Sequence, residues 1–489
     1  MKRNFFRKVA FGIGPTQEVP INPIDWSQAQ VENVPKISWR KPLPTESELL
    51  KLRAQNQKSI VKARKKFREN PQALEAAYSE AYDKAGYAYH EQLELNVRHH
   101  AALNSEAPVF ERFWWFWCNH FCTLEGMPDG ALTGEYHRNI IRKNLCNKFT
   151  DLVTAVTTSY AMIKSLDNST SIAPNSERGK SAKRNGETVS INENHARELM
   201  ELHTIAPAGG YTQEDVVELS YIMAGWEIPW SNNGWANPVK FNQKKHEPGK
   251  HTVLGKSYKQ RGLSAKNKLL DVIVDLANHP KCAEFLAYKL CKHFICDHPT
   301  QAMTQPIIAA WAASDGHLPT VHKAVLEVVY EHAELYEKFI NPEVWVAQTA
   351  NIFGLEWPRG NESMDFSPGQ GAHKGQPHGG NEAQREVDMI LSEVGLHPYK
   401  IKQPNGWPDT EIEWISPELI LRRFNALRRM QFYPRKSEIN LNELIDKNYD
   451  NSKEINVLLK QFVIDDNSAD PVFTQVLGIL QTSKWGLTA

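Results

Sequence analysis

The phrase FWWFWCNHFC, Phe113 to Cys122, constrains the fold more than any other part of this chain. Read as a helix it is apolar almost all the way round, and such a helix has no face to turn to water. It must lie in the centre of the protein with other elements packed around it. Asn119 and His120 are then polar groups in an apolar setting. An unpaired buried polar group costs roughly 1 to 3 kcal/mol, so both need partners. His120 reads in two ways: a ligand or general base at the floor of a pocket, or a structural histidine bonded to a backbone carbonyl.

The shell around that helix is itself helical. From Thr45 onward apolar residues recur at three- and four-residue spacing between breaker clusters. Thr45 with Glu48 makes a capping box, and Pro71 opens a run that continues to about Asn104. Further helices are expected near 107–122, 135–165, 193–204, 212–226, 265–296, 303–313, 319–336, 341–354, 382–394, 416–431 and 453–480. Only 237–258 reads as extended structure around a glycine turn. The expected class is therefore mainly α, with a short hairpin excursion near 237–258. Three stretches interrupt the pattern: 168–190, polar and basic; 227–238, rich in Trp, Asn and Pro; and 358–381, rich in Gly. Loops of this length in a compact protein are usually functional or disordered, and 168–190 and 358–381 read as surface insertions.

Composition removes several classes of function. The 489 residues carry 57 Lys plus Arg against 57 Asp plus Glu, so no global charge draws the chain to nucleic acid or an anionic membrane. No segment approaches the roughly 18 to 20 apolar residues of a membrane-spanning helix. The basic start, MKRNFFRKVAFGIGPT, has too short an apolar stretch for an export signal, which favours the cytoplasm. The 6 Cys are too few for a disulfide scaffold, and Cys118, Cys122, Cys291 and Cys296 do not match a zinc spacing; they read as buried thiols. Neither the Gly-rich loop at 358–381 nor GKS at Gly179–Ser181 has the context of a phosphate-binding loop.

The densest polar chemistry lies in NENHARELMELHT, Asn192 to Thr204. Asn192 is an N-cap candidate, and Glu193, Asn194, Arg197, Glu198 and Glu201 share one face of the helix that follows. Arg197 stands four residues from both Glu193 and Glu201, so an ionic ladder can run along that face. His195 and His203 fall on the apolar side. The carboxylates line a site with other elements or form a solvated surface, and the residues leave both open. Gly209 and Gly210 end this helix, and Thr212 with Asp215 caps the next. Beyond it, HEPGKH brings His246, Glu247 and His251 to one turn, a set that could ligate a metal or simply be solvated.

With these motifs assembled, the chain resembles the bacterial family called domain of unknown function 1800. The matching phrases are FWCNHF (116–121), SLDN (165–168), NENHARELMELHT (192–204), GGYTQEDVVELSYIMAGW (209–226), HEPGKHTVLGK (246–256), HPKCAEFLAYKLCKHF (279–294) and PNGWPD (404–409). The opening FRKVAFGIGPT and the closing DPVFTQVLGIL resemble the two ends of the family. The resemblance implies a single, mostly helical domain over 1–489, and no established activity. Relatives often carry an export signal and are encoded beside a sulfatase-like protein. His195, His203 and His251 depart from the residues usual in the family, which weakens a metal turn built on His246 and His251.

Two functions compete. The first is an enzyme, a hydrolase or transferase on a polar or glycan-like substrate, with a site gathering His120, Asp167, Glu193, Arg197, Glu198, Glu201 and His246. A carboxylate would activate water or a hydroxyl, Arg197 would orient an anionic group and His120 would shuttle a proton. A divalent metal ion, if one is used, would take His120, His246, Glu198 and Glu201. Trp226, Trp230 and Trp235 would offer stacking surface to a sugar. The second is a non-catalytic helical partner or assembly factor for a sulfatase-like neighbour, its polar residues forming buried ion pairs. The first requires the Asn119–His120 end of the central helix to meet the polar face of 193–204, with the His246 turn closing the pocket.

Overall fold

The structure is a computed structural model that describes residues 2–39, 41–84, 87–229, 238–262, 264–358, 382–462, 478 and 480–489. The described part is mainly helical. In chain order come α1 (Arg3–Val9), α2 (Pro23–Ala29), α3 (Glu46–Lys66), α4 (Pro71–Lys84), α5 (Tyr87–Asn104), α6 (Pro108–His120) and α7 (Gly130–Tyr136). Then follow α8 (Phe149–Thr157), α9 (Tyr160–Ser165), α10 (Glu177–Arg184), α11 (Asn194–Glu201), α12 (Gln213–Met223), α13 (Lys266–Ala277) and α14 (Pro280–Phe294). The last are α15 (Gln301–Ser314), α16 (Leu318–His332), α17 (Pro342–Ile352), α18 (Glu382–Val394), α19 (Pro417–Met430), α20 (Leu441–Asn448), α21 (Ser452–Phe462) and the short α22 (Lys484–Leu487).

Both capping boxes form as the residues require: Thr45 with Glu48 starts α3 and Thr212 with Asp215 starts α12. Several longer expected helices are divided. Pro280 ends the run 265–296 as one helix, because the residue before a proline is pushed out of the α region. The run 135–165 breaks at Asn144–Asn147 and at Ser159, whose hydroxyl accepts from Met162 N and caps α9. The run from Pro71 becomes α4 and α5, with Gly86 between them in sequence.

The excursion after α12 is two small antiparallel ribbons. β1 (Trp226–Glu227) pairs with β2 (Lys240–Phe241), Trp226 opposite Phe241. β3 (His251–Val253) pairs with β4 (Lys256–Tyr258), His251 opposite Tyr258. The stretch 168–190 is not a plain insertion, since it folds into α10 behind the cap Ser176, which accepts from Gly179 N at 3.0 Å. Gly179 is required there: a Cβ would stand 2.2 Å from the Ala173 carbonyl oxygen. The stretch 358–381, apart from Pro358, lies outside the described residues, as do Trp230 and Trp235.

One buried apolar cluster extends from Phe5 to Ala489. Ala489 is held inside it by two backbone hydrogen bonds of 2.7 and 2.9 Å exchanged with Lys338, and Arg7 of α1 donates to the nearby Gly486 carbonyl. At its middle lies α6, with every residue from Val109 to Cys118 buried. Histidines from four neighbours surround it. His99 of α5 packs on Trp115, His322 of α16 stacks on Phe113 at 4.0 Å, and His293 of α14 packs on Phe116. His137, just after α7, accepts the indole N–H of Trp114 at its carbonyl. Among the described residues no helix is long and apolar enough to cross a membrane.

Candidate functional site

The last turn of α6 fixes a loop that supplies half of the site. Asn119 donates to the Trp407 carbonyl at 2.9 Å and accepts from Trp407 N at 2.8 Å, a closed two-bond clasp. Gly406, at φ +79°, makes the approach possible, since a Cβ there would lie 2.5 Å from the Asn119 carbonyl oxygen. Cys122 donates its thiol proton to the Pro404 carbonyl at 3.3 Å. The clasped loop delivers Asp409 to His293, whose Nδ1–H donates to Asp409 Oδ1 at 2.8 Å. That bond fixes the proton on Nδ1 and leaves Nε2, buried and without a partner, as the basic nitrogen.

His293 and Asp409 line a cavity of about 30 Å³ together with Arg98, Arg112, His137, Asn341 and Glu343. A second cavity of about 20 Å³ shares Arg112, His293, Asn341 and Asp409 and adds Lys338 and Lys8. Arg98 and Glu343 form a two-bond pair at 2.7 and 3.2 Å, and His99 Nε2 lies 3.3 Å from the same carboxylate. Burial pushes the Glu343 carboxyl up, but Arg98 and His99 outweigh it and hold it at about 2. Burial likewise raises the Asp409 carboxyl, and His293, Lys338 and Lys289 more than reverse it, leaving it below the usual carboxylate range. The His293 imidazole is lowered by burial, which Asp409 only partly offsets, so the ring is neutral near pH 7. Lys338 is held by Asp297 and by the Asp409 carbonyl.

His120 lies 2 % exposed at the end of α6. Its Nε2–H donates to the His203 carbonyl at 3.2 Å, and its Nδ1 accepts from Lys289 at 3.0 Å. Both ring nitrogens are therefore occupied, and no carboxylate of α11 bonds this ring. The central helix does meet the end of α11, but through a backbone carbonyl rather than the acidic face.

That acidic face looks outward. Arg197 pairs with Glu193 at 3.0 Å, and both side chains are about a third exposed, 36 % and 34 %. Arg197 and Glu193 also both bond the Gln213 amide. Glu201 accepts from the Tyr211 hydroxyl instead of completing a ladder with Arg197. Glu198, half-buried, has its carboxyl raised by burial and by Glu201. The helix starts one residue late, with Asn192 accepting from Asn194 N at 2.9 Å. Asp167 sits in a left-handed turn at φ +54°, while the buried Asn168 beside it bridges the Met223 and Trp226 carbonyls.

The HEPGKH turn is held by its own framework. His246 Nδ1–H donates to the Ala224 carbonyl at 3.0 Å, and His251 donates to Glu218 at 3.0 Å. Glu247 accepts twice from Asn175, tying α10's approach to this turn. Trp226 is buried against Phe241, with no open face for a sugar. Among the described residues no group of three or more His, Cys, Asp and Glu side chains could hold a metal ion. The expected set of His120, His246, Glu198 and Glu201 is thus not assembled: both His120 nitrogens are taken by the His203 carbonyl and Lys289, and the four residues form no cluster.

A family model described as protein of unknown function (DUF1800) matches residues 4–482. The chain belongs to the DUF1800 family. No curated protein and no solved structure matches it. Of the first cavity's lining, the sequence of this DUF1800 chain points to Cys118 and Asn119 but not to the charged residues or His293, although His293 and Asp409 stand inside the family-like phrases at 279–294 and 404–409. The available signal was a histidine and an aspartate within phrases otherwise made of core and turn residues.

Proposed function

We propose that this chain is an enzyme, a hydrolase or transferase on a polar substrate, working at the cavity beneath α6. The observation that carries this reading is the His293–Asp409 pair: a neutral imidazole whose bare Nε2 is buried at a cavity and whose other nitrogen is held by a carboxylate. A base oriented by a third group is the arrangement that activates water or a hydroxyl. In this role His293 Nε2 takes a proton from the attacking group, Asp409 stabilises the imidazolium that forms, and the proton then passes to the leaving group. Cys118 lines the same cavity, but burial pushes its thiol up to about 12, so it is no nucleophile at neutral pH. The attacking group then comes from water or substrate.

The test is a panel of ester, glycoside, sulfate-ester and phosphate-ester substrates offered to the whole protein. Turnover that disappears in His293→Gln, with the melting temperature kept within a few degrees, supports the reading. Turnover unaffected by that change removes it.

A second reading, a structural partner for a sulfatase-like protein, is favoured by the buried ion pairs that fasten the helices to one another. Arg138 binds Glu94, Arg142 binds Glu111 and Arg98 binds Glu343, all within 2.7 Å at the closest oxygen. Co-purification with that neighbour, unchanged by His293→Gln, would favour it.

A further inference from the structure

Arg112 is a buried cation with no counter-ion bond among the described residues. It projects from α6, is 4 % exposed and lines both cavities. One of its nitrogens donates to the Lys8 carbonyl at 3.1 Å, while Nε and Nη1 have no partner. Its guanidinium lies against the Phe11 and Phe294 rings. Burial lowers its pKa to about 10, so it remains a cation at neutral pH. A buried cation left with one carbonyl bond is costly, and such groups call for a partner.

The two carboxylates nearest in charge, Asp409 and Glu343, do not supply it. Asp409 accepts from His293, and Glu343 is engaged by Arg98 and His99. Around them further polar atoms lack partners: Arg98 Nη1 and the two ring nitrogens of His137, one a donor and one an acceptor in the neutral ring, are buried in the first cavity's wall without a hydrogen bond. Arg7 and Lys8, buried beside the second cavity, donate only to backbone carbonyls. In the first cavity Arg98 and Arg112 balance Glu343 and Asp409 in charge, while the second gathers Arg7, Lys8, Arg112 and Lys338 around Asp409.

We infer that this pair of cavities binds a compact oxyanion, a carboxylate, sulfate or phosphate group, against Arg112. A buried guanidinium whose Nε and Nη1 are free offers a charged N–H donor to an oxygen of such a group on either of two edges. Size sets the same limit. On a measure in which one water needs about 10 to 15 Å³, the first cavity of about 30 Å³ takes one small group and not a sugar ring. The anionic end of a substrate enters, and its reacting bond lies at His293 Nε2. The inference rests on the cavity being the working site, and its test separates the two.

The experiment titrates the full chain with sulfate, phosphate and acetate at constant ionic strength set by chloride, following heat of binding and melting temperature. Wild type is expected to bind at least one of the three saturably, one per chain, and the tightest identifies the source. Arg112→Lys, which keeps charge but loses the planar set of N–H donors, should weaken binding at least 10-fold. Should Arg112→Lys not fold, a crystal of wild type grown with selenate decides the matter. Anomalous density within hydrogen-bond reach of Arg112 supports the inference, and an ordered water alone overturns it. No saturable binding of any of the three anions to wild type also overturns it, even if turnover depends on His293. Anion binding without any His293-dependent turnover sinks the enzyme reading and leaves this one standing.

Discussion

The imidazole of His293, on α14, donates to the carboxylate of Asp409, 116 residues further along the chain, at 2.8 Å. The bond forms because Asn119 clasps the loop before Asp409 from the end of α6. A single tautomer of His293 follows. Asp409→Asn should therefore lower turnover by about 10³- to 10⁴-fold, since an amide can also stabilise the wrong tautomer. Kinetics on whichever substrate the panel yields would measure it, and a change of less than 10-fold would remove Asp409 from the mechanism.

Arg98 and Glu343 are a buried pair, and removing one partner strands the other. Arg98→Met should cost roughly 3 to 5 kcal/mol in urea unfolding, while Arg98→Met with Glu343→Leu should cost clearly less. A double variant no more stable than the single one would show that packing, not charge, sets the loss. The same pair has a pH signature. The Glu343 carboxyl is lowered in the folded state to about 2, so its contribution is full above the ordinary value of 4.5 and is lost as pH falls towards 2.

Arg197→Ala should change stability by less than about 1 kcal/mol, because its pair with Glu193 is a third exposed and screened by water. A loss of several kcal/mol in thermal unfolding would mean that this face is covered in solution.

Glu91 shifts the other way. Burial raises its carboxyl to about 7, against the pull of Lys400. The folded protein then holds a proton that the unfolded chain releases, so stability falls as pH rises from about 4.5 to 7. Glu91→Gln, which resembles the protonated form, should raise the melting temperature at pH 8 and leave it nearly unchanged at pH 4.5. Equal shifts at both pH values would contradict the assignment.

Legibility in the sequence followed the kind of partner each residue found. The burial of α6 was readable because Phe113 to Trp117 leave no polar face, and the capping boxes were readable because both members are side chains at fixed spacing. The partners of His120 and His246 were not. Each histidine bonds a backbone carbonyl, and a carbonyl has no residue signature. The charged face of α11 attracted attention through its periodicity, yet periodicity cannot tell a solvated face from a buried one. The pairing of His293 with Asp409 depends on a glycine turn and an asparagine clasp far away in the chain, a long-range contact that local pattern does not carry.

His293 as a neutral base with its proton on Nδ1 can be read directly by ¹⁵N NMR of histidine-labelled protein. The His293 signals are assigned by their loss in His293→Gln. At pH 7 the ring should show a protonated Nδ1 and a bare Nε2, titrating below the ordinary value of 6.5 because burial outweighs the pull of Asp409. An imidazolium at pH 7, or a proton on Nε2 in place of Nδ1, would contradict it.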